Sequence, residues 1–270
     1  MIKIACNYSA ELAELIKNKT VDINFIKAGL YGDYVNKLDV MRSMKPVLLH
    51  GMGYNERAGM KNIDEVDFNR INKYLRDYGS PHLGLHLAIA NSDMPRELSG
   101  DEIFKLMCEQ IQLFKKNLSV PLLLENVPDT LEDRTVYDHY PYSSADEISK
   151  TILDNDVYFL LDISHAKITA EYNGRELYKY LRGLPLDRVK EIHVNGSGRD
   201  EHGNPTDPHA AMTDADYDLL EWTLERTKPE IISLEYYGIK SENSEQITEN
   251  LVIQLNKIER IISTKHGGRS

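Results

Sequence analysis

Two hydrophobic periods alternate along the chain. Short, almost unbroken apolar runs occur at 3–6, 22–27, 46–50, 83–89, 121–127, 157–163, 191–194 and 231–236. Between them, at 10–18, 65–78, 99–117, 144–154, 174–182, 213–226 and 244–262, apolar residues recur every three or four positions. Compact apolar runs suit strands buried on both faces, and the longer spacing puts apolar side chains along one face of a helix. Ser99 with Glu102, and Thr213 with Asp216, have the spacing of reciprocal N-terminal caps. Eight strand–helix alternations predict a closed parallel (β/α)8 TIM barrel in the α/β class, rather than an open sheet. There is no internal repeat and no glycine-rich dinucleotide loop.

In such a barrel, residues just past the C-terminal ends of the strands line the active site. The run VYFLLDISH changes character abruptly at its end, delivering Asp162 and then His165. Other strands do the same. PVLLH ends on His50, HLGLHLAI carries His86, PLLLEN ends on Glu125 and Asn126, EIHVNGSG supplies His193, and IISLEYY presents Glu235. The loop after the seventh strand adds Asp207 and His209. Taken singly, each has an ordinary reading: a salt-bridged rim Glu, a hydrogen-bonded strand His, an Asp-Pro turn. Taken jointly they do not, because four carboxylates converging on one mouth repel and desolvate one another. Cations remove that conflict, and carboxylate with imidazole suits iron, zinc or manganese. His82, deeper in its strand, reads as structural. Asn7, Lys27, Asn195 and the Tyr236–Tyr237 pair fall at strand ends, where they can touch substrate. The aromatic insertion 129–142 is long for a loop of this kind and is a candidate lid.

Composition narrows the setting. With 270 residues and no Pro/Gly/Ser-rich linker, one domain over 1–263 is expected, with 264–270 as a disordered tail. Hydrophobic residues make up 41% and charged residues 28%, the balance of a soluble globular protein. The start has no signal-like apolar core and no run approaches membrane-spanning length, so no membrane partner is expected. Only Cys6 and Cys108 are present, which argues against a disulfide framework and for a reducing cytoplasm. A net charge of −11 argues against nucleic-acid binding through bulk charge.

The residues resemble the xylose-isomerase-like TIM barrel superfamily in two of its branches. The series His50, His86, Glu125, Asp162-x-x-His165, His193, Asp207-x-His209, Glu235 matches in order the trinuclear zinc ligands of endonuclease IV. LLLEN and LLDISHAKITAEY are especially similar to that branch. IACNYSAELAELI, VDINFIKAG, LLHGMGYN, HLGLHLA and EIHVNGSG resemble instead the multinuclear non-haem iron-dependent oxidative enzymes, which modify ribosomally made peptides. That family usually carries Asn where this chain has His165. The endonuclease branch has a DNA-inserting loop with no counterpart after Cys6.

The second resemblance implies two or three irons. Glu125, Asp162 and Glu235 would be terminal or bridging carboxylates essential to catalysis, and the histidines, Asp207 and Asn126 would complete the metal environment. The implied reaction is O2-dependent modification of a peptide or small molecule at a Cys or Asp side chain, with a substrate-recognition protein as a further partner. The alternatives are a zinc-dependent phosphodiesterase and a metal-dependent sugar isomerase or epimerase, the latter with zinc or manganese.

Overall fold

The computed structural model describes residues 1–51, 57–59, 66–89, 99–136 and 144–267. Eight barrel strands are numbered here in chain order. They are β1 (Lys3–Asn7), β2 (Phe25–Ala28), β3 (Val47–His50), β4 (Leu83–Ile89), β5 (Leu122–Glu125), β6 (Tyr158–Asp162), β7 (Val189–Val194) and β8 (Ile231–Leu234). Each pairs in parallel with the next, and β8 closes on β1 through Lys3 opposite Ile231 and Cys6 opposite Leu234. This is the expected (β/α)8 TIM barrel. A short strand, Arg57–Gly59, runs beside the outer half of β4. An antiparallel hairpin of Gly196–Arg199 and Pro205–Ala210 stands on the mouth after β7.

Period-two alternation divides the strand residues between two cores. Outward residues such as Ile26, Leu49, Leu85, Leu124, Leu161, Ile192 and Leu234 pack under the helices in one large cluster. At the bottom of the barrel, Ala5, Phe25, Leu48 and Ile231 form a small, separate apolar plug. Above the plug the interior turns polar. Gly84 belongs to that upper region, where a Cβ would stand 2.7 Å from His50 Cδ2. A side chain at 84 would therefore displace the His50 ring.

Both anticipated caps form. Ser99 N donates to Glu102 Oε2 at 3.1 Å, and Glu102 N donates to Ser99 Oγ at 3.4 Å. Thr213 N and Oγ1 donate to Asp216 Oδ2 at 2.8 and 2.7 Å. Besides the short turn of helix Leu131–Val136 inside the insertion, two longer helices lack an anticipating signal. Tyr34–Met44 buries only Leu38 and Met41 and shows little periodicity. Ile163–Tyr172 is buried almost all round, from Ile163 through Ala170, so no polar face betrays it. The C-terminal helix Ser244–Gly267 continues through 264–267, which corrects the tail expected there. Lys265 Nζ reaches Glu225 Oε1 at 2.9 Å and ties that last turn down. Residues 268–270 and the insertion's 137–142 lie outside the described residues. Among the described residues no helix is long and apolar enough to cross a membrane.

Asp216 is a point where two elements depend on one carboxylate. Its Oδ1 accepts from Lys167 Nζ at 2.8 Å, while Oδ2 caps the helix Asp214–Leu224. Asp216→Ala should lose the cap and leave Lys167 without its partner, lowering stability by about 2 kcal/mol. Urea denaturation checks this: the midpoint should fall with the slope unchanged, and an unchanged midpoint contradicts it.

Candidate metal centre

The strand register sets the donors side by side. His86 lies opposite Glu125, and Asp162 lies opposite His193, each pair on neighbouring parallel strands. Glu125 is the hub. Its Oε2 meets His50 Nε2 at 2.6 Å and His86 Nε2 at 3.3 Å; its Oε1 meets His193 Nδ1 at 2.9 Å and His165 Nδ1 at 3.6 Å. Two groups of donors converge closely enough to hold a cation, with ligand atoms within 4.8 Å of one another. One is His50, Glu125 and His193; the other is Glu125, Asp162, His193 and Glu235.

Asp162 explains why β6 and the following helix meet where they do. It is the N-cap of Ile163–Tyr172, its Oδ1 accepting from His165 N at 2.7 Å. That bond uses one oxygen. Oδ2 is buried and accepts no hydrogen bond among the described residues. A buried, orphaned carboxylate oxygen is costly unless a cation meets it. It lies 3.6 Å from His165 Nε2 and 4.0 Å from His193 Nδ1. The donor chemistry and this orphaned oxygen both fit a metal ion.

His165 is aimed by the same local structure. Its Nδ1 donates to the Asn126 carbonyl at 2.8 Å, which leaves Nε2 to face Asp207 Oδ2 at 2.9 Å. A ring nitrogen fixed by a backbone carbonyl, with the other pointing at carboxylates, is a common arrangement of a metal-ligating histidine. The hairpin contributes the remaining pair. His209 Nε2 stands 3.6 Å from Asp207 Oδ2 and 3.4 Å from Glu235 Oε2. His209 adopts φ 51°, the left-handed region where a non-glycine residue is strained. The register shift in the hairpin between Thr206 and Ala210 spans this residue.

Charge compensation without metal falls to protons and Lys27. Burial alone would raise the Glu125 carboxyl, but His193, His86 and His50 hold it well below the usual carboxylate range. Asp162 is pushed up to about 6 by burial, with Glu125, Asp207 and Glu235 adding to it against His165. Burial opposes charge on His193, yet Glu235, Glu125 and Glu191 raise it to about 10. His50 goes the other way, to about 4, through burial and the neighbouring Lys27. Lys27 is buried at 3% exposure and pairs with Glu235.

The nine residues of the series thus face one mouth. Three other expected residues are placed differently. Asn126 spends its amide on the Asp162 backbone, donating to O at 2.9 Å and accepting from N at 3.0 Å, so it braces the strand end instead of joining either donor group. Asn195 is fully buried behind Asp207, to which its Nδ2 donates at 2.5 Å. Tyr236 is fully buried, and its hydroxyl bonds Glu242 Oε1 at 3.0 Å, away from the mouth. Its neighbour Tyr237 faces the mouth instead, with its ring 5.8 Å from that of His209.

A cavity of about 470 Å³ opens above the donors. Asn7 and Lys27 line it, joined by Tyr31, Tyr34, Tyr237 and Asp133. Asp133 belongs to the 129–142 insertion, whose first turn is held by Arg134 on Asp129 (Nε to Oδ1 2.7 Å, Nη2 to Oδ2 3.0 Å). Glu191 and the tyrosines Tyr31 and Tyr34 carried no strand-end signal. Period-two alternation from His193 reaches Glu191, and that is the signal that could have found it.

Residues 16–262 match a family described as "RiPP precursor modification enzyme MbnB/TglH/ChrH". A UPF0276 protein of Bordetella pertussis is 29% identical over 212 residues, covering 73% of this chain and 71% of that one. Among solved structures, a xylose isomerase domain protein of Alicyclobacillus acidocaldarius superposes with a TM-score of 0.62 at 13% identity, covering 97% of this chain and 99% of its own. Endonuclease IV of Thermus thermophilus gives 0.57 at 14% identity, with 96% and 99% covered. These likenesses show the xylose-isomerase-like fold.

Protein purified without chelator and without oxygen should carry two or three transition-metal ions per chain by elemental analysis. Stripping them should lower stability on the order of a few kcal/mol, since the carboxylates then rely on protons alone. A folded, chelator-naive sample free of metal contradicts this.

His165 allows a sharper test. His165→Asn can keep the tether to the Asn126 carbonyl, while His165→Ala keeps neither the tether nor the ligand atom. Metal per chain should therefore fall less in the Asn variant than in the Ala variant, with circular dichroism confirming both folds. Equal, deep loss of one metal in both variants contradicts it.

Proposed function

Because the chain belongs to the MbnB/TglH/ChrH family of RiPP precursor modification enzymes, we propose that it is an iron-dependent oxidative enzyme acting on a peptide, with a Cys or Asp side chain as the group modified. The observation that carries the metal part of this reading is the orphaned Asp162 Oδ2 among converging carboxylates and imidazoles. Two or three irons bound there would supply one-electron chemistry with O2 as the oxidant.

The chain's own residues do the positioning. Glu125 offers an oxygen to each side, so one carboxylate serves both donor groups. His50 and His86 meet its Oε2 on one side; His193 and His165 meet its Oε1 on the other, where Asp162, Asp207, His209 and Glu235 also gather. The cavity has room for a side chain and its flanking backbone, with larger contacts left to the rim or to a substrate-recognition partner. Tyr31, Tyr34 and Tyr237 offer flat apolar faces with polar tips, which suit a peptide held in one orientation. Asn7 can meet a backbone amide. Glu125, Asp162 and His193 are buried below the cavity, which shields the reacting group from bulk water.

One observation favours a hydrolytic alternative. His165 points Nε2 into the site, at the position where the iron-dependent oxidative enzymes that this chain resembles usually carry Asn. A zinc-dependent phosphodiesterase would use it as a ligand and bind a phosphodiester above it.

The test is anaerobic purification followed by metal analysis and incubation, with O2, with peptides that carry Cys and Asp residues. Iron, together with an O2-dependent mass change on a Cys or Asp residue, is the expected result. Zinc, together with nicking of abasic duplex DNA and tight, salt-sensitive binding to it, would overturn the reading.

A further inference from the structure

One layer below the metal-competent donors, the barrel interior holds a carboxylate that the proposed chemistry does not use. Glu191, on β7, is 1% exposed. Three groups converge on it. His82 Nε2 meets its Oε2 at 2.6 Å, while Ser233 Oγ at 2.5 Å and His193 Nε2 at 2.9 Å share its Oε1. The layer beneath is filled by Ala5, Phe25, Leu48 and Ile231. An apolar side chain at 191 would continue that plug without desolvating a charge. A buried Glu therefore points to a job that apolar packing cannot do.

The job is visible at His193. Its Nδ1 faces Glu125 at 2.9 Å, Glu235 at 3.5 Å and Asp162 at 4.0 Å, the atoms that would share a cation. Nδ1 can bind a metal only if the ring's remaining proton sits on Nε2. Two neighbours contest Nε2. Glu191 accepts from it at 2.9 Å, and the Lys27 ammonium stands 2.8 Å away. Lys27 can only donate, so if it held Nε2 as an acceptor the proton would be forced to Nδ1 and the ligand atom lost. Glu191 decides the contest towards Nε2–H, and Lys27 is drawn to Glu235 instead. His82 and Ser233 hold the Glu191 carboxylate from the far side, fixing its plane.

We propose that Glu191 is the positioning residue of the metal centre, fixing the tautomer and orientation of His193 so that Nδ1 is presented to the ion shared with Glu125. Carboxylates that anchor a metal-bound imidazole in this way tune metal affinity by about 10–100-fold. The proposal rests on the metal-centre reading above.

The experiment compares the wild-type chain with Glu191→Gln and Ser233→Ala, each reconstituted anaerobically with Fe(II) and, separately, with Co(II). In Glu191→Gln the affinity for one ion should fall by about 10–100-fold, with the other ion or ions retained. The Co(II) visible spectrum should change with it. Ser233→Ala removes only a hydroxyl, keeps the fold safe, and should weaken the same ion by less, under about tenfold. Unchanged metal affinities and an unchanged Co(II) spectrum in both variants overturn the proposal, even if the metal-free melting temperature drops. That pattern would leave the metal centre itself standing. A wild-type chain that binds neither ion overturns the metal-centre reading and this proposal together.

Discussion

Everything at the mouth of this barrel answers to one constraint: carboxylates from several strands converge where water is excluded. Two unit charges about 4 Å apart repel by about 4 kcal/mol even at an effective dielectric of about 20. Glu125, Asp162 and Glu235 have oxygens within 4.8 Å of one another, so some positive charge must be present in any folded state. Without metal, that charge is protons and Lys27. The upward shifts of both Asp162, to about 6, and His193, to about 10, put protons where a cation would otherwise stand. When a metal takes that place, the imidazole protons must leave, which couples metal affinity to pH with tighter binding at higher pH.

The fold confines this cost to one end. The bottom of the barrel is closed by the apolar plug, and the outward faces of all strands pack under helices. Only the upper interior is polar, and there the parallel register places donors on neighbouring strands directly abreast. Helix capping then does the fine aiming. Asp162 cannot turn both oxygens to the site because one is held by the His165 amide, and His165 cannot flip because its Nδ1 is held by the Asn126 carbonyl.

Much of this was legible in the sequence because barrel strands are short, apolar and end on a change of character. The match of β4 to 83–89 and the two capping pairs show how local the relevant physics is. What escaped reading has equally local causes. The helix Ile163–Tyr172 has no polar face to create a period, and Tyr34–Met44 has too few buried residues. Position at a strand end suggests the mouth for Tyr236, but alternation overrides it: with Ser233 and Glu235 inward, 236 must point outward. Asn126 sits one residue past Glu125 for the same reason and serves the backbone. Glu191 was hidden at the polar start of a strand, where a Glu normally reads as a helix-to-strand boundary. The insertion's contribution through Asp133 depends on tertiary placement that no local pattern encodes.

The donor set alone does not choose the reaction, since carboxylate and imidazole serve iron, zinc and manganese alike. A fold shared with endonuclease IV and a xylose isomerase domain protein does not choose it either. The cavity wall is more discriminating. A phosphodiester is gripped largely by lysines and arginines on its phosphates. Among the described residues lining this cavity, Lys27 is the one such cation, and it is already paired with Glu235. The rest of the wall is tyrosine, a proline, small apolar residues and the carboxylate of Asp133. Among the described lining residues an anionic backbone would meet the Asp133 carboxylate and no unpaired Lys or Arg, leaving any bound metal as its counter-charge, whereas peptide amides can also be met by Asn7 and the tyrosine hydroxyls.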